Sequence, residues 1–270
     1  MLELNNLCKT FHAGTSNEVT SLRNISLHVK AGSFVTIIGT NGSGKSTLLN
    51  AVAGTENVDS GTVILNGNNV TKWPEHKRAG MIGRVFQSPF SGTAPSMSIA
   101  ENLSLAARRG RPRGLGWALD RTLHGAIRDR IRTLNMGLED RLDSPIGVLS
   151  GGQRQALTLL MATWIRPELL LLDEHTAALD PKTAEQVIRL TKEIIQVQTL
   201  TTLMVTHSMQ QAVHLGDRII MMHRGEIIQD VQGQARARVR PDDLLEKFQD
   251  IRRRESIDVH VAGLLERCYV

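Results

Sequence analysis

The sequence predicts an α/β protein built around a parallel sheet, and three observations carry that prediction. Apolar, largely β-branched or leucine runs recur at Ser33–Ile38, Leu169–Leu172 and Thr201–Thr206 (TTLMVT). Such runs are the pattern of strands buried on both faces. Segments with apolar residues at helical spacing alternate with them. A glycine-rich turn, GTNGSGKST from Gly39 to Thr47, joins the first run to the first helix.

The order of elements follows from the same signals. Residues 1 to about 86 hold an N-terminal sheet, the glycine-rich turn and its helix, with a short strand TVILNG after the turn-like DSG. Pro89, Gly92 and Pro95 break the chain after Gln87. From Ser98 to about Met136 the pattern is largely helical. It is interrupted by RRGRPRGLG (108–116), whose four Arg, three Gly and one Pro disfavour helix and predict an exposed loop. From Gly151 to Asp230 the alternation resumes: a helix, the LLLLDE strand, a helix from about Pro181, the TTLMVT strand, a helix, and a hairpin around Arg224-Gly225. The tail, 231–270, is polar and amphipathic, with DDLLEKFQDIRRR and VAGLLERC as short helix candidates.

The first turn has the form of a phosphate cradle, GxxxxGK[ST] between a strand and a helix. Gly39, Asn41, Gly42, Ser43 and Gly44 line it. Backbone N–H groups and the positive end of the helix dipole make an anion site there. Gly42 and Gly44 let the backbone approach phosphate with no Cβ in the way. Lys45 is expected to reach the β- and γ-phosphates, the Ser46 hydroxyl to ligate Mg2+, and Thr47 to lie near the α-phosphate.

A second anion site is predicted at Leu149-Ser150-Gly151-Gly152-Gln153, before the helical run RQALTLLMATWI. Ser150 is an N-cap candidate, and the two glycines leave the helix start bare. By itself SGG before a helix marks an ordinary capped helix. Beside a complete first cradle it raises a question: either both sites converge on one nucleotide, or two copies meet head to tail and complete each other's sites.

The apolar run Leu169–Leu172 ends in Asp173 and Glu174. Ligands gather at the carboxyl ends of strands in an open α/β sheet. Asp173 is therefore placed to hold Mg2+, and Glu174 to act as general base on a water. The next such run ends at His207.

With these motifs the chain resembles the ATP-binding subunit of an ABC (ATP-binding cassette) transporter over about residues 2 to 230. The resemblance implies a P-loop NTPase fold: a RecA-like parallel core (1–87 and 150–230), an antiparallel β subdomain, and an inserted α-helical subdomain (88–149) that touches a permease. It also implies that Ser150, Gly151, Gly152 and Gln153 act in trans on ATP held by a second copy. His207 then holds the γ-phosphate and the attacking water in line. Gln87 is the Q-loop glutamine sensing Mg2+ and water. Asp180 is the D-loop aspartate that speaks across the dimer. The resemblance also implies that Phe11 stacks on adenine, with Val19 packing beside it. Two departures from the family pattern are His175, where Pro is common, and Ala177, where Ser is common. Neither is a catalytic position, so activity is expected to survive.

Bulk properties bound the reading. The 270 residues are 41% hydrophobic and 22% charged, ordinary for a globular protein. No apolar run approaches the roughly 20 residues of a membrane span, and the N-terminus lacks the regions of a signal peptide. The expected location is the cytoplasmic face of the cell membrane, held there through separate permease subunits. Cys8 and Cys268 make no metal motif or disulfide framework, so both are expected as free thiols. The net charge of +5 is uneven, with arginines at 108, 109, 111, 113 and 121, at 236, 238 and 240, and at 252 to 254. These are expected mainly on solvated surface. The loop 108–116 is expected on or beside the membrane-facing surface, so that Arg109 and Arg111 help assembly with the permease.

The expected function is ATP-driven dimer closure that energises transport, with an extracytoplasmic solute-binding protein in the same system and no nucleic acid as partner. LSGGQ and the lack of a guanine-reading NKxD motif argue against other P-loop enzymes. A soluble ABC ATPase of DNA repair or translation usually carries coiled-coil insertions or two cassettes, and neither is present. Import of a small solute, with an amino acid as the candidate, is favoured over export by the resemblance of LSGGQRQALTLLMATW and DEHTAALDPKTA to importer cassettes.

Overall fold

The computed structural model describes residues 1–110, 120–251 and 253. In chain order the elements are β1 (Leu2–Phe11), β2 (Val19–Val29), β3 (Phe34–Gly39), α1 (Lys45–Ala53), β4 (Ser60–Leu65), β5 (Asn68–Asn69), α2 (Glu75–Arg78), β6 (Ile82–Val85), α3 (Ile99–Ala107), α4 (Arg121–Arg132), α5 (Gly151–Thr163), β7 (Leu169–Asp173), α6 (Pro181–Gln198), β8 (Thr201–Val205), α7 (Met209–Leu215), β9 (Arg218–His223), β10 (Glu226–Gln232) and α8 (Gly233–Arg238). They form two sheets. One is antiparallel, in the order β2-β1-β4-β5, and the other runs β10-β9-β3-β8-β7-β6. In the second sheet β9, β3, β8, β7 and β6 are mutually parallel and β10 closes the edge antiparallel to β9.

Period-two alternation decides which side chain enters which layer. Val35 and Ile37 of β3, with Leu169 and Leu171 of β7, share a core with Leu48, Leu49 and Val52 of α1 and with Leu2, Leu4 and Leu27 of the antiparallel sheet. Phe34, Leu170 and Leu172 point to the opposite face, where Leu159 and Ala162 of α5 and Ile195 of α6 cover them. Helix α5 serves two layers. Its Ala156, Leu157 and Leu160 join Ile99 and Leu103 of α3 and Ile127 and Ile131 of α4 in a separate helical core. Residues 241–251 are helical, and Leu244 and Phe248 of that stretch form a separate cluster with Ile38 of β3, Ala212 of α7 and Ile219 and Met221 of β9.

Two arginines expected on solvated surface turn inward instead. Arg109 donates to Ala162 O and Ile165 O, both at 2.9 Å, at the end of α5. Arg236 donates to Gly216 O at 2.8 Å and to Val213 O at the end of α7. Arg78, 1% exposed, does the same at the end of α1, donating to Ala51 O and Val52 O and, in the segment before α2, to Thr71 O and Trp73 O. The reason is common to all three: the last carbonyls of a helix lack intrahelical donors and carry the negative end of its dipole, and a guanidinium satisfies both. Residues 111–119, which include the rest of the arginine-rich loop (111–116) with Arg111 and Arg113, and residues 252 and 254–270, which include the VAGLLERC helix candidate and Cys268, lie outside the described residues.

Candidate nucleotide site

The first cradle is built at the end of β3. Gly44 caps α1 with φ 95 and no side chain bonds to the helix start, so the first N–H groups of α1 are left for an outside acceptor. A Cβ at Gly44 would overlap Ser21 O of β2, which forces glycine there. Lys45 is 5% exposed, and its ammonium donates to Gly39 O at 3.0 Å, Thr40 O at 2.9 Å and Ser43 Oγ at 3.4 Å. Burial holds its pKa below the ordinary lysine value, with Glu174 and Asp173 opposing. Ser46, Asn41 and Gly42 are exposed at the mouth. Thr47 Oγ1 accepts from Ser21 Oγ at 2.7 Å, tying β2 to α1. Two residues before Ser21 lies Val19, which pairs across the antiparallel sheet with Phe11. The two residues expected at the adenine are therefore neighbours.

The carboxyl ends of β6, β7 and β8 bring three more predicted residues, Gln87, Glu174 and His207, into contact. Glu174 N donates to Val205 O at 3.0 Å, prolonging the β7–β8 ladder by one residue. Glu174 itself has φ 45, a left-handed conformation uncommon for a non-glycine residue and a local strain of the kind found at functional sites. Both its carboxylate oxygens are engaged. His207 Nε2 lies 2.6 Å from Oε1, and Gln87 Nε2 donates to Oε2 at 3.4 Å. Asp173 sits beside them, its pKa raised by burial, with Arg84, 3.8 Å away, the main opposing influence.

The second anion site forms a different kind of helix start. Ser150 and Gln153 make a reciprocal capping box: Gln153 N donates to Ser150 Oγ at 3.3 Å, and Ser150 N donates to Gln153 Oε1 at 3.2 Å. Gln153 Nε2 donates to Met136 O at 3.4 Å, within the helical layer. Gly151 is exposed, whereas Gly152 is buried where a Cβ would overlap Thr183 of α6. Packing between α5 and α6 thus already requires glycine at 152. Asp180 caps α6, accepting from Thr183 N at 3.1 Å.

Arg84 was not singled out from sequence. It donates to Asn50 Oδ1 at 2.6 Å, stacks 4.5 Å from the Phe86 ring, and approaches Asp173. A charged residue inside the apolar run MIGRVF was the available signal. Among the described residues no group of three or more His, Cys, Asp or Glu could hold a metal ion. The donor set of Ser46, Asp173 and Gln87 instead fits Mg2+ shared with nucleotide phosphates, since that ion keeps several waters and takes few protein ligands.

A profile of the ABC transporter family matches residues 22–177. The chain belongs to this family. The cassette is 43% identical over 249 residues to the tyrosine transport ATP-binding protein of Clostridioides difficile, which covers 92% of this chain and 99% of that one. It is 36% identical to the methionine import ATP-binding protein of Sodalis glossinidius, over 85% of this chain and 64% of that one. The cassette therefore spans somewhat less than two thirds of the length of the methionine relatives. Among solved structures, a dimeric post-hydrolysis ATP-binding cassette bound to ADP and Pi superposes with a TM-score of 0.74 at 29% identity, covering 86% of this chain and 98% of that one. An ABC transporter cassette in its ADP conformation gives 0.72 at 26% identity, covering 87% and 91%. The protein is thus an ATP-binding, ATP-hydrolysing subunit of an ABC transporter, with the α/β cassette fold. No helix among the described residues is long and apolar enough to cross a membrane.

Proposed function

We propose that two copies of the cassette close on two ATP molecules and that Glu174 is the general base of hydrolysis. The single observation that supports this most is the grip on Glu174: its carboxylate lies between His207 Nε2 at 2.6 Å and Gln87 Nε2 at 3.4 Å, just after β7. A carboxylate held on both oxygens is oriented before substrate arrives, which is where most catalytic gain in phosphoryl transfer originates. Lys45 exchanges its carbonyl partners for phosphate oxygens, and the free N–H groups at the start of α1 donate to the same oxygens. Ser46, Asp173 and Gln87 would hold Mg2+, which would supply charge neutralisation at the phosphates. Phe11 and Val19 receive the base.

The capping box supports the trans role of LSGGQ. Ser150 Oγ accepts a hydrogen bond, and its own hydroxyl proton remains available to donate to a γ-phosphate oxygen presented by the second copy. Gly151 leaves that approach open. Asp180, at the start of α6, faces the same junction in this reading.

We place the permease contact in the cleft of about 930 Å³ between the segment after Gln87 and helices α3 and α5, lined by Phe86, Gly92, Leu105, Arg109 and Met161. Leu105 is 52% exposed there. In this reading residues 1–230 are the ATP-binding unit, 88–149 its permease-facing insert, and 231–270 an extension. The transported solute is an amino acid, taken up by an importer with a solute-binding protein, at the cytoplasmic face of the membrane. Support comes from the tyrosine and methionine systems to which the similar chains belong by name. The test is a detergent pull-down of tagged Glu174→Gln with ATP. Recovery of a permease and a solute-binding protein that binds tyrosine is expected. A permease without any binding protein sinks the import reading.

A further inference from the structure

The loops bearing Glu174 and His207 are joined a second time, through side chains that the reading above does not use. Thr206 Oγ1, on the residue before His207, donates to Gln211 Oε1 at 2.8 Å. Gln211 Nε2 donates to Thr176 Oγ1, two residues after Glu174, at 3.3 Å. Both threonines are nearly sealed, at 4% and 7% exposed. Thr206 Oγ1 also accepts from Ser208 N at 3.1 Å, and Ser208 Oγ in turn accepts from Gln211 N at 3.2 Å. One side-chain amide therefore spans the two loops, and its own backbone is pinned to one of them.

The anchor beneath this bridge is the strand that feeds the phosphate cradle. Gln211 lies on α7, and its neighbour Ala212 packs on Ile38 of β3. Thr36 Oγ1 of the same strand donates to Ala212 O at 3.2 Å. Movement of Gln211 would thus require movement of α7 over β3. The chemistry also fits an amide. Its carbonyl end accepts from one threonine hydroxyl and its N–H end donates to the other, so both ends are satisfied in a part-buried site.

We propose that Gln211 is a positioning residue for ATP hydrolysis: its amide sets the spacing between the Glu174 carboxylate and the His207 imidazole. It touches neither nucleotide nor the reacting atoms. The inference rests on the reading of Glu174 as general base. Its consequence is a cost in turnover rather than in nucleotide binding, because the cradle of Lys45 is built from other residues.

The experiment measures kcat and KM for ATP, with nucleotide affinity by equilibrium fluorescence, on the full chain carrying Gln211→Leu, Gln211→Glu or Glu174→Gln. Gln211→Leu should lower kcat by about tenfold to a hundredfold, the cost of a misplacement near 1 Å, while ATP affinity stays at the wild-type value. Gln211→Glu should recover most of kcat, since a carboxylate accepts from both threonine hydroxyls. Thr176→Val added to Gln211→Leu should cost nothing further, because both remove one bridge. Wild-type kcat in Gln211→Leu overturns the inference. Equal losses of kcat and ATP affinity, unrelieved in Gln211→Glu, overturn it too, as those mark a role in folding alone. Glu174→Gln separates the two readings: an inactive Glu174→Gln beside a fully active Gln211→Leu removes only the bridge, whereas full turnover in Glu174→Gln removes the base beneath it.

Discussion

His175 Nε2 lies 3.1 Å from Thr191 Oγ1, fastening the residue after Glu174 to the middle of α6. Thr191 Oγ1 donates its own proton to Val187 O at 2.8 Å, so the imidazole is the donor of the pair and carries its proton on Nε2. His175 is 1% exposed, and burial depresses its pKa to about 4. The residue stands where the family pattern commonly has proline, which could make no such bond. A neutral buried histidine thus replaces a rigid ring as the fastening of this loop.

That burial has a pH consequence. The folded-state pKa lies below the unfolded value near 6.5, so below about pH 6.5 the unfolded chain binds a proton that the folded chain does not. The stabilisation is fully present above pH 6.5 and is lost as pH falls toward 4, a total on the order of 3 kcal/mol. Urea unfolding of wild type and His175→Gln across pH 4 to 8 checks it. The variant should show a flatter pH dependence, and equal slopes would remove His175 as the cause.

Turnover should separate from binding at the proposed catalytic contact. Glu174→Gln is expected to bind ATP, hydrolyse it poorly and accumulate as a closed dimer in size-exclusion chromatography. His207→Ala should bind ATP yet turn over slowly, because it loses one of the two groups that aim the carboxylate. Lys45→Ala should bind ATP weakly. Nucleotide titrations beside phosphate-release rates distinguish the three, and tight ATP binding by Lys45→Ala would contradict the cradle.

Arg84 offers a test of the layer beneath Asp173. It lies 3.8 Å from that carboxylate, and it also donates to Asn50 Oδ1 in the last turn of α1 and to Thr55 Oγ1 just beyond that helix. Arg84→Met keeps the stacking over Phe86 and removes the charge. The expected result is a higher Mg2+ concentration for half-maximal ATPase, with thermal stability lowered modestly. An unchanged Mg2+ requirement would show that Asp173 needs no such support.

Arg109 separates fold from assembly. With its guanidinium on Ala162 O of α5 and on Ile165 O just beyond that helix, Arg109→Glu should lower stability by about 1–3 kcal/mol, the cost of leaving buried partners unpaired. The melting temperature of the isolated cassette should fall accordingly. An unaltered melting temperature with lost permease binding would restore a purely surface role.

The nucleotide cradle was legible because its residues are consecutive. Gly39 to Thr47 carry turn, helix start and cation within one short segment, so composition alone names their chemistry. The ends of β7 and β8 were legible for a related reason, since an apolar run followed by an acid or histidine is a local signal. The capping role of Ser150 was equally visible, whereas the second reason for Gly152, its packing under Thr183, was not.

Partnerships between segments were beyond that reach. Nothing local tells Arg78 or Arg109 that a helix end needs its guanidinium, so a count of arginines suggested more charged surface than the protein has. Nothing near Gln211 or His175 announces Thr176 or Thr191 as partners, since each bond joins elements brought side by side only by sheet order and helix packing. The chain's local chemistry declares what it grips and the family it serves. The spacing of Glu174 and His207, and the buried amide and imidazole that hold their loops, exist only once β7, β8, α6 and α7 have packed, because hydrogen bonds across tens of residues depend on distances that no linear pattern encodes.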